Sequence, residues 1–307
     1  MIGDHFPRLA QAAGPILPYL EDPEVIEIRC TSSGAMFVVK FGLGKERVAD
    51  ISPTVLDHFL SLIAHRVGAE WRAESPRLHA GEPALGFRIQ AGRPPISGAP
   101  WLVCRKHPMR VFPLDDFEEK GILTRGQRRI IEMLMQSRKT IIIAGAVGSA
   151  KTSLTNALLH TLTESTERIV ILEDDPELRC EAAEVQTLRT SEVPLITMRD
   201  LGKDLLRMSP DRIVVGEVRD GAALDMLKAF ATGHPGLCTV HAASAQETLT
   251  RLEQLVQEVS VDAQRHLIGE AVDAIIHMEQ FSRSWRVTDM IAVDGFDGSH
   301  YNTRSLA

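Results

Sequence analysis

The sequence predicts an α/β protein with two domains, the larger of which is built on a mainly parallel sheet. Three observations support this fold class. The length of 307 residues is about that of two ordinary domains. From residue 124 onward, short apolar runs alternate with stretches of helical periodicity, a pattern typical of a parallel sheet covered by helices on both faces. A loop that contains glycine also lies between one of these apolar runs and the next helical stretch.

The composition is that of a globular protein. Hydrophobic residues make up 44% and charged residues 24% of the chain, which is enough apolar surface to form cores. No apolar run approaches the roughly 18 residues that cross a bilayer, and residues 1–5 lack the start of a secretory signal. The four cysteines are far apart and form no C-x-x-C pair, which argues against a zinc ribbon or a disulfide framework. We therefore expect a cytoplasmic protein.

The charge is distributed unevenly. The chain has a net charge of −7, but residues 1–114 carry 13 basic and 11 acidic side chains, whereas residues 115–307 carry 21 and 30. The larger part of the chain is therefore acidic. An acidic surface disfavours non-specific binding to nucleic acid, so we expect no direct nucleic-acid partner.

The first domain is expected at residues 1–112. Residues 25–28 and 36–39 have the composition of strands and are joined by a turn at 31–34. Residues 53–67 repeat apolar side chains at helical spacing, and the proline at the start suits a first helical turn. Proline and acidic residues at 111–116 interrupt the apolar pattern. We therefore expect a linker at 113–118 and the larger domain at 119–307.

The larger domain begins with a helical stretch at 124–137. The apolar run 140–144 follows it and leads through the glycine-containing loop to a helical stretch at 151–162. Further apolar runs at 169–172, 213–215 and 237–240 are separated by helical stretches. Strands that are apolar throughout indicate a mainly parallel sheet with both faces covered.

The run from Gly145 to Thr152 nearly matches the phosphate-binding pattern G-x-x-x-x-G-K-[ST]. Ala150 stands where the pattern has its last glycine. If Ala150 adopts the backbone angles that the loop requires, the amides of residues 148–152 face phosphates at a helix N-terminus. Lys151 then reaches the β- and γ-phosphates and the Thr152 hydroxyl binds Mg²⁺. The alternative is a glycine turn with Lys151 solvated at the start of a helix. The expected nucleotide-binding residues are Gly145, Ala146, Val147, Gly148, Ser149, Ala150, Lys151, Thr152 and Ser153.

Two glutamates that follow apolar runs are candidates for Mg²⁺ binding and water activation. Glu173 ends the run at 169–172, and Glu217 follows the run at 213–215 by two residues. Ligands of an open parallel sheet bind beyond the carboxyl ends of its strands, so both glutamates are expected on the same rim as the phosphate loop. We assign Thr152 and Glu217 as metal-binding residues. The neighbouring Asp174 and Asp175 fit a helix-capping turn as well as a functional role.

Two histidines flank the apolar run at 237–240. His241 ends this run on the same rim and is placed to donate to a γ-phosphate. His234 lies in a Gly-His-Pro-Gly turn, where a structural role fits equally well. No third ligand has the spacing of a zinc site, so the histidines do not predict a structural metal.

Four segments together resemble the motifs of the traffic ATPases of type IV secretion, type II secretion and type IV pili. They are, in chain order, 145–152 (Walker A), 171–178 (Asp box), 206–220 (Walker B) and 233–241 (His box). The third is highly specific, since its acidic residue is a glutamate that follows glycine and precedes Val-Arg-Asp. The segments 22–28 and 105–116 are most similar to those of the conjugative-transfer members, and the four-cysteine zinc element of other branches is missing from the sequence. Ala150 and the segment 29–34 depart from the family pattern.

This resemblance implies a RecA-like P-loop NTPase domain that follows a smaller, PAS-like N-terminal α/β domain. It implies that Glu173 and Glu217 activate water and polarise Mg²⁺, with the two roles left open between them, and that His241 senses the γ-phosphate. Arginines at family positions would approach the nucleotide, because a guanidinium suits phosphate oxygens. Each could otherwise form a surface ion pair. The expected catalytic residues are Lys151, Glu173, Glu217, His241, Arg88, Arg105 and Arg207.

The resemblance also implies a function. It implies hydrolysis of Mg·ATP by a homohexameric ring, bound peripherally at the inner face of the cytoplasmic membrane to the proteins of a secretion or conjugation machinery. One alternative is a RecA-like nucleic-acid motor, against which the acidic balance of residues 115–307 argues. Another is an ATPase of type IV pilus assembly or retraction. A third is a ring subunit that binds nucleotide without hydrolysing it, for which Ala150 is the only support.

Overall fold

The computed structural model describes residues 7–82, 86–107, 109–281 and 284–307. The chain divides into two compact units. The first comprises the described residues up to Arg110 together with Ser284, and the second comprises the remaining described residues from Val111 onward. Both units mix helices with strands, so the predicted α/β class with a smaller N-terminal domain is confirmed. The PAS-like character of the first unit stays a prediction.

Six strands and three α-helices form the described part of the first unit. They are α1 (Pro7–Ala13), α2 (Leu17–Glu21), β1 (Val25–Cys30), β2 (Ala35–Lys40), β3 (Gly44–Asp50), α3 (Pro53–Arg66), β4 (Arg77–Glu82), β5 (Phe87–Gly92) and β6 (Trp101–Lys106). The predicted strands at 25–28 and 36–39 and the helix at 53–67 are confirmed, with ends shifted by a residue or two. The hydroxyl of Ser52 caps α3 by accepting from the amide of Val55.

The strands of the first unit form one antiparallel sheet in the order β3-β2-β1-β6-β5-β4. Ile28 and Cys104 are register partners on β1 and β6, and both are fully buried in a core that includes Phe59 of α3. Side chains alternate between the two faces of a strand. The neighbouring position, Arg105, therefore points to the opposite face of the sheet.

The second unit contains the remaining elements. They are α4 (Leu114–Glu119), α5 (Arg125–Gln136), β7 (Ile141–Gly145), α6 (Lys151–His160), β8 (Arg168–Glu173), β9 (Glu184–Arg189), β10 (Ser191–Glu192), β11 (Leu195–Ile196), α7 (Met198–Asp204), β12 (Arg212–Val218), α8 (Ala222–Ala231), β13 (Gly236–Val240), α9 (Ala245–Gln257), α10 (Arg265–Ala271), β14 (Ala274–Phe281), β15 (Ser284–Phe296) and β16 (Tyr301–Ser305). All the strands and helices that the sequence predicts in this part are present, with ends shifted by a few residues.

An eight-stranded sheet organises the second unit, in the order β16-β15-β14-β7-β13-β12-β8-β9. The strands from β14 to β9 are parallel to their neighbours, which confirms the predicted parallel sheet. Only β15 and β16 pair antiparallel, at one edge. The parallel arrangement places the carboxyl ends of β7, β8, β12 and β13 on one rim. The loops that follow these four strands therefore meet there.

The apolar residues of β7 show why the central strands read as continuous runs. Ile141, Ile142, Ile143 and Ala144 are all fully buried, because helices cover both faces of the sheet. The helix α6 likewise buries most of its length. Among the described helices, none combines the length and the apolar character that a membrane crossing requires.

The segment expected as a linker, 113–118, is helical instead. It forms most of α4, and the side chains of Leu114 and Phe117 are buried. The division between the two units lies between Arg110 and Val111. The proline and acidic residues that suggested an irregular connection are placed at the start of this helix, where Pro113 is the N-cap and Asp115 and Asp116 occupy the first turn. Acidic side chains are favourable at that end of a helix.

Candidate functional site

The phosphate loop joins the end of β7 to the start of α6 on the rim of the sheet. Two of its glycines are required by the backbone. Gly145 has φ +150°, and a Cβ there would lie 2.2 Å from the carbonyl oxygen of Met278 on β14. Gly148 has φ +77°, in the region that side chains disfavour. The loop therefore passes close to β14 and then turns sharply at its exposed apex.

Ala150 adopts the conformation that the missing glycine would have. Its φ and ψ are +67° and +25°, in the left-handed region, and it is the N-cap residue of α6. For a residue with a Cβ this conformation costs roughly 1–2 kcal/mol. The condition that the sequence set for this loop is therefore met. The methyl group leaves the loop geometry intact, and the first amides of α6 lie at a helix N-terminus, where donors and dipole favour an anion.

Lys151 is held by its own loop. Its side chain is only 7% exposed, and Nζ donates to the carbonyl oxygens of Gly145 at 3.0 Å and Ala146 at 2.8 Å. Nζ also lies 3.1 Å from Nδ1 of His241. The alternative of a solvated lysine at a helix start is therefore excluded. The ammonium group lies directly beneath the carbonyls that open the loop.

His241 connects the lysine to a carboxylate. It follows β13, and its Nε2 lies 2.5 Å from Oε1 of Glu217. The ammonium of Lys151 can only donate, so Nδ1 of a neutral His241 accepts and the ring proton resides on Nε2, facing Glu217. Lys151, His241 and Glu217 thus form one hydrogen-bonded chain, although they come from three separate motifs.

Arg219 extends this chain to the Asp box. Its Nε lies 3.4 Å from Oε2 of Glu217, and its guanidinium also pairs with Oδ2 of Asp174. Burial opposes the charge of Arg219, but the hydrogen bond and ion pair with Asp174 outweigh it and raise its pKa above the ordinary value. The other oxygen of Asp174 accepts from the hydroxyl of Thr190 at 2.8 Å. Asp174 is thus a bridging residue between two loops rather than only a helix cap.

Glu173 has a different environment from Glu217. Its side chain is 2% exposed, and Oε2 accepts from the amides of Glu177 at 3.1 Å and Leu178 at 2.9 Å. Oε1 accepts from Nε of Arg189 at 3.0 Å. Both oxygens of this buried carboxylate are therefore engaged in holding the loop that follows β8. Glu217, by contrast, is partly exposed and bonded to side chains.

The other predicted residues lie in different places. Arg207 is 84% exposed, in a short 3₁₀ turn before β12, and lies 3.8 Å from Asp204. It is on the amino side of the parallel strands, about 20 Å from their carboxyl rim at the usual rise per residue. The structure therefore does not bring Arg207 to the phosphate loop of its own chain. His234 pairs with the hydroxyl of Thr232 in its turn, which favours the structural role.

Arg88 and Arg105 belong to the first unit. They are register partners on the antiparallel strands β5 and β6, and Glu27 on β1 is the register partner of Arg105 on the other side. The two guanidinium groups therefore project from the same face of that sheet. Two adjacent arginines on one face are suited to bind a multiply charged anion.

The metal-binding assignment involves few protein ligands. Thr152 lies in the first turn of α6, half-buried, and Glu217 lies on β12. In the described part of the chain, no group of three or more His, Cys, Asp or Glu side chains is arranged to hold a metal ion. Mg²⁺ at a phosphate site usually keeps several waters and takes only one or two protein ligands besides the phosphates. One hydroxyl and one carboxylate therefore suit Mg²⁺ that arrives with a nucleotide.

The sequence analysis assigns no role to two residues that the structure places at the site. Arg219 lies in the Val-Arg-Asp that follows Glu217, so its position two residues along the strand was a usable signal. Trp285, on β15, donates from its indole Nε1 to the carbonyl oxygen of Gly148 at 2.7 Å. No motif contains this tryptophan, and only the fold brings it to the loop.

Comparison with known proteins gives a consistent family. The profile of the type II/IV secretion system proteins matches residues 76–284. The chain is 39% identical to the probable conjugal transfer protein TrbB of Sinorhizobium fredii, over 97% of this chain and 92% of that protein. It is 37% identical to the conjugal transfer protein TrbB of Rhizobium radiobacter, over 94% and 90%. The solved ATPase DotB of Legionella pneumophila shares the fold, with a TM-score of 0.65 at 20% identity over 89% of this chain and 78% of that one. The resemblance predicted from the motifs is confirmed, and this chain belongs to the type II/IV secretion system protein family.

Proposed function

We propose that this chain is an ATPase that hydrolyses Mg·ATP to power conjugative transfer or another type IV secretion process. The loop geometry is the single observation that carries the proposal. Ala150 holds the left-handed conformation of a phosphate loop, and Lys151 lies buried beneath that loop. The names of the TrbB relatives, which match nearly the whole chain, support the type of process.

The residues of the loop fit the triphosphate of a nucleotide. The first amides of a helix have no partner within the helix and attract an anion. The hydroxyl oxygen of Ser149 is buried and has no hydrogen-bond partner among the described residues, which is costly for a polar group and suits a site that acquires a ligand. Lys151 supplies the cation. We infer that it exchanges the carbonyls of Gly145 and Ala146 for phosphate oxygens when nucleotide binds.

The residues that would hold Mg²⁺ are Thr152 and Glu217. The ion, when bound with ATP, neutralises charge that develops on the phosphate oxygens. Glu217 already accepts from Nε2 of His241 and faces Arg219, so its carboxylate is held in a fixed position before any ligand arrives. A carboxylate held in place in this way costs little reorganisation during a reaction.

The two glutamates are proposed to divide their work according to their partners. Both carboxylate oxygens of Glu173 hold the loop after β8. Glu217 is bonded only to side chains that can rearrange, and one of them, His241, also contacts Lys151. We therefore assign the attacking water and the metal chiefly to Glu217, and the order of the surrounding loop to Glu173. His241 is proposed to respond when Lys151 moves to the γ-phosphate.

The arginines of the first unit are proposed to complete the site. Arg88 and Arg105 share one face of their sheet and would contact the phosphates when the two units close on ATP. Hydrolysis then removes that attraction and lets the units separate. Arg207 lies far from the loop of its own chain, so in a ring we assign it to contact with a neighbouring copy.

The assembly is proposed to be a homohexameric ring at the cytoplasmic face of the inner membrane, bound to membrane proteins of the secretion machinery. Light scattering during size-exclusion chromatography, with and without ATP analogue and Mg²⁺, measures the mass of the assembly. A mass of six chains is expected. A monomer under all conditions at micromolar concentration would contradict the ring.

Phosphate release by purified protein tests the enzymatic proposal. Wild-type protein is expected to release phosphate from Mg·ATP, and Lys151→Ala is expected to fall to background because the buried cation is removed. Lys203→Ala is the matched control, since Lys203 is exposed and pairs only loosely with Asp200 at 3.4 Å. Equal rates in the wild type and Lys151→Ala would refute the proposed activity.

A further inference from the structure

Trp285 lies outside all four motifs, and its side chain reaches the phosphate loop from β15. The side chain is 2% exposed, and its Nε1 donates to the carbonyl oxygen of Gly148 at 2.7 Å, across 137 residues of sequence. Hydrogen bonds between N–H and oxygen most often measure about 2.9–3.0 Å. This bond is therefore short, and its donor is fixed by packing on all sides.

The bond acts on one particular peptide plane. The carbonyl of Gly148 and the amide N–H of Ser149 belong to the same trans peptide and point in opposite directions. The carbonyl points to the buried indole, and the amide of Ser149 makes only a long bond of 3.3 Å, to the carbonyl oxygen of Ala146. The amide is thus turned toward the inside of the loop. A rotation of this plane would exchange the two groups and present a carbonyl dipole where phosphate oxygens are expected.

Little else in the loop resists such a rotation. Gly148 has φ +77° and lacks a Cβ, so its backbone adopts other conformations readily. The neighbouring Val147 is 75% exposed and provides no packing. The carbonyls of Gly145 and Ala146 are held by Lys151, which leaves them when it takes phosphate. Trp285 is therefore the donor whose hold on the loop does not depend on whether nucleotide is bound.

We propose that Trp285 is a positioning residue of the phosphate loop, which fixes the peptide between Gly148 and Ser149 with its amide inward and so sets the affinity for nucleoside di- and triphosphates. This inference rests on the proposed function, because it concerns the same site. Trp285 acts through the loop and does not itself touch nucleotide. The net contribution of one neutral hydrogen bond corresponds to a change in affinity of about two- to twelvefold.

Two variants remove the bond. Trp285→Phe removes the indole N–H but also some volume. Site-specific replacement of Trp285 by 3-benzothienylalanine, in which sulfur replaces the N–H, keeps the shape. For both, the dissociation constant of ADP measured by calorimetry and the KM for ATP are expected to rise by the same factor, about two- to twelvefold, while kcat changes less. The factor should be equal for ADP and GDP, since the loop contacts phosphates and not the base.

Val287→Ala is the matched control. Val287 is also buried on β15, but its side chain does not reach the loop through any contact of the described residues. This variant should lower the melting temperature without changing the dissociation constant of ADP. If the benzothienyl protein binds ADP as tightly as the wild type, the inference is refuted even if Trp285→Phe fails to fold. If the wild type binds no ADP, the proposed function fails first, and the positioning role fails with it.

Discussion

Replacing Ala150 by glycine tests where the strain of the phosphate loop resides. Without nucleotide, Ala150 already has φ +67° and ψ +25°. The left-handed conformation costs alanine roughly 1–2 kcal/mol, and glycine loses about 0.4–1 kcal/mol through the greater freedom of its unfolded chain. The difference predicts that Ala150→Gly stabilises the fold by about 0.5–1 kcal/mol. That is a rise in melting temperature of roughly 1–4 °C for a domain of this size.

The same reasoning predicts little change in nucleotide affinity. Because the ligand-free loop already holds the strained conformation, the strain affects folding and not binding. The dissociation constant of ADP for Ala150→Gly is therefore expected to stay within about twofold of the wild-type value. Differential scanning calorimetry and titration calorimetry on the same samples measure both quantities.

Gln264 provides a matched control. It is also a left-handed N-cap residue, with φ +56°, at the start of α10. The pair Gln264→Gly and Gln264→Ala should differ in melting temperature as Ala150→Gly differs from the wild type, and neither should affect nucleotide binding. An Ala150→Gly variant that binds ADP fivefold more tightly at an unchanged melting temperature would refute the reasoning, because the loop would then adopt its strained form only on binding.

Other changes test other parts of the site. Glu217→Gln should bind ATP normally but hydrolyse it about a hundredfold or more slowly, as seen in phosphate release, and unchanged turnover would remove Glu217 from the chemistry. Glu173→Gln should instead lower stability by about 2 kcal/mol in denaturant unfolding, since an amide replaces a buried carboxylate that accepts three bonds, and an unaffected midpoint would contradict its structural role. Arg105→Ala should slow hydrolysis about tenfold or more at an unchanged melting temperature, and a normal rate would place the arginine clamp elsewhere. Burial lowers the pKa of Lys106 to about 8. Between that value and about 10.5 the unfolded chain holds a proton that the folded chain has lost, so the wild type should gain about 1.5 kcal/mol over Lys106→Met from pH 7.5 to 9.5, and a constant difference would refute the shift.

The parallel sheet could be predicted because its central strands are buried on both faces. Ile141–Gly145 is apolar at every position, and such a run needs no knowledge of its neighbours to be recognised. The edge strand β9 carries no prediction, since Glu184–Arg189 is only partly buried and its side chains are mostly polar. The helix α4 was expected as a linker, because proline and acidic residues serve both to break a pattern and to begin a helix.

The site could be predicted as far as its residues lie in local patterns. Lys151, Glu217 and His241 each follow a strand, so a shared rim was enough to bring them together. The conformation of Ala150 could not be predicted from the pattern, because the motif states only that glycine is usual there. Trp285 could not be predicted at all, since its bond to Gly148 depends on the strand order that places β15 beside β14 and β7.

The pairing of Lys151 with the carbonyls of Gly145 and Ala146 has a consequence for turnover. Capture of a triphosphate is an exchange of partners, in which the gain from new contacts is reduced by those given up. When product leaves, the old contacts re-form and offset part of the loss. The vacant enzyme is thus a comfortable resting state, and a motor that must discard ADP many times benefits from a grip that is moderate rather than maximal.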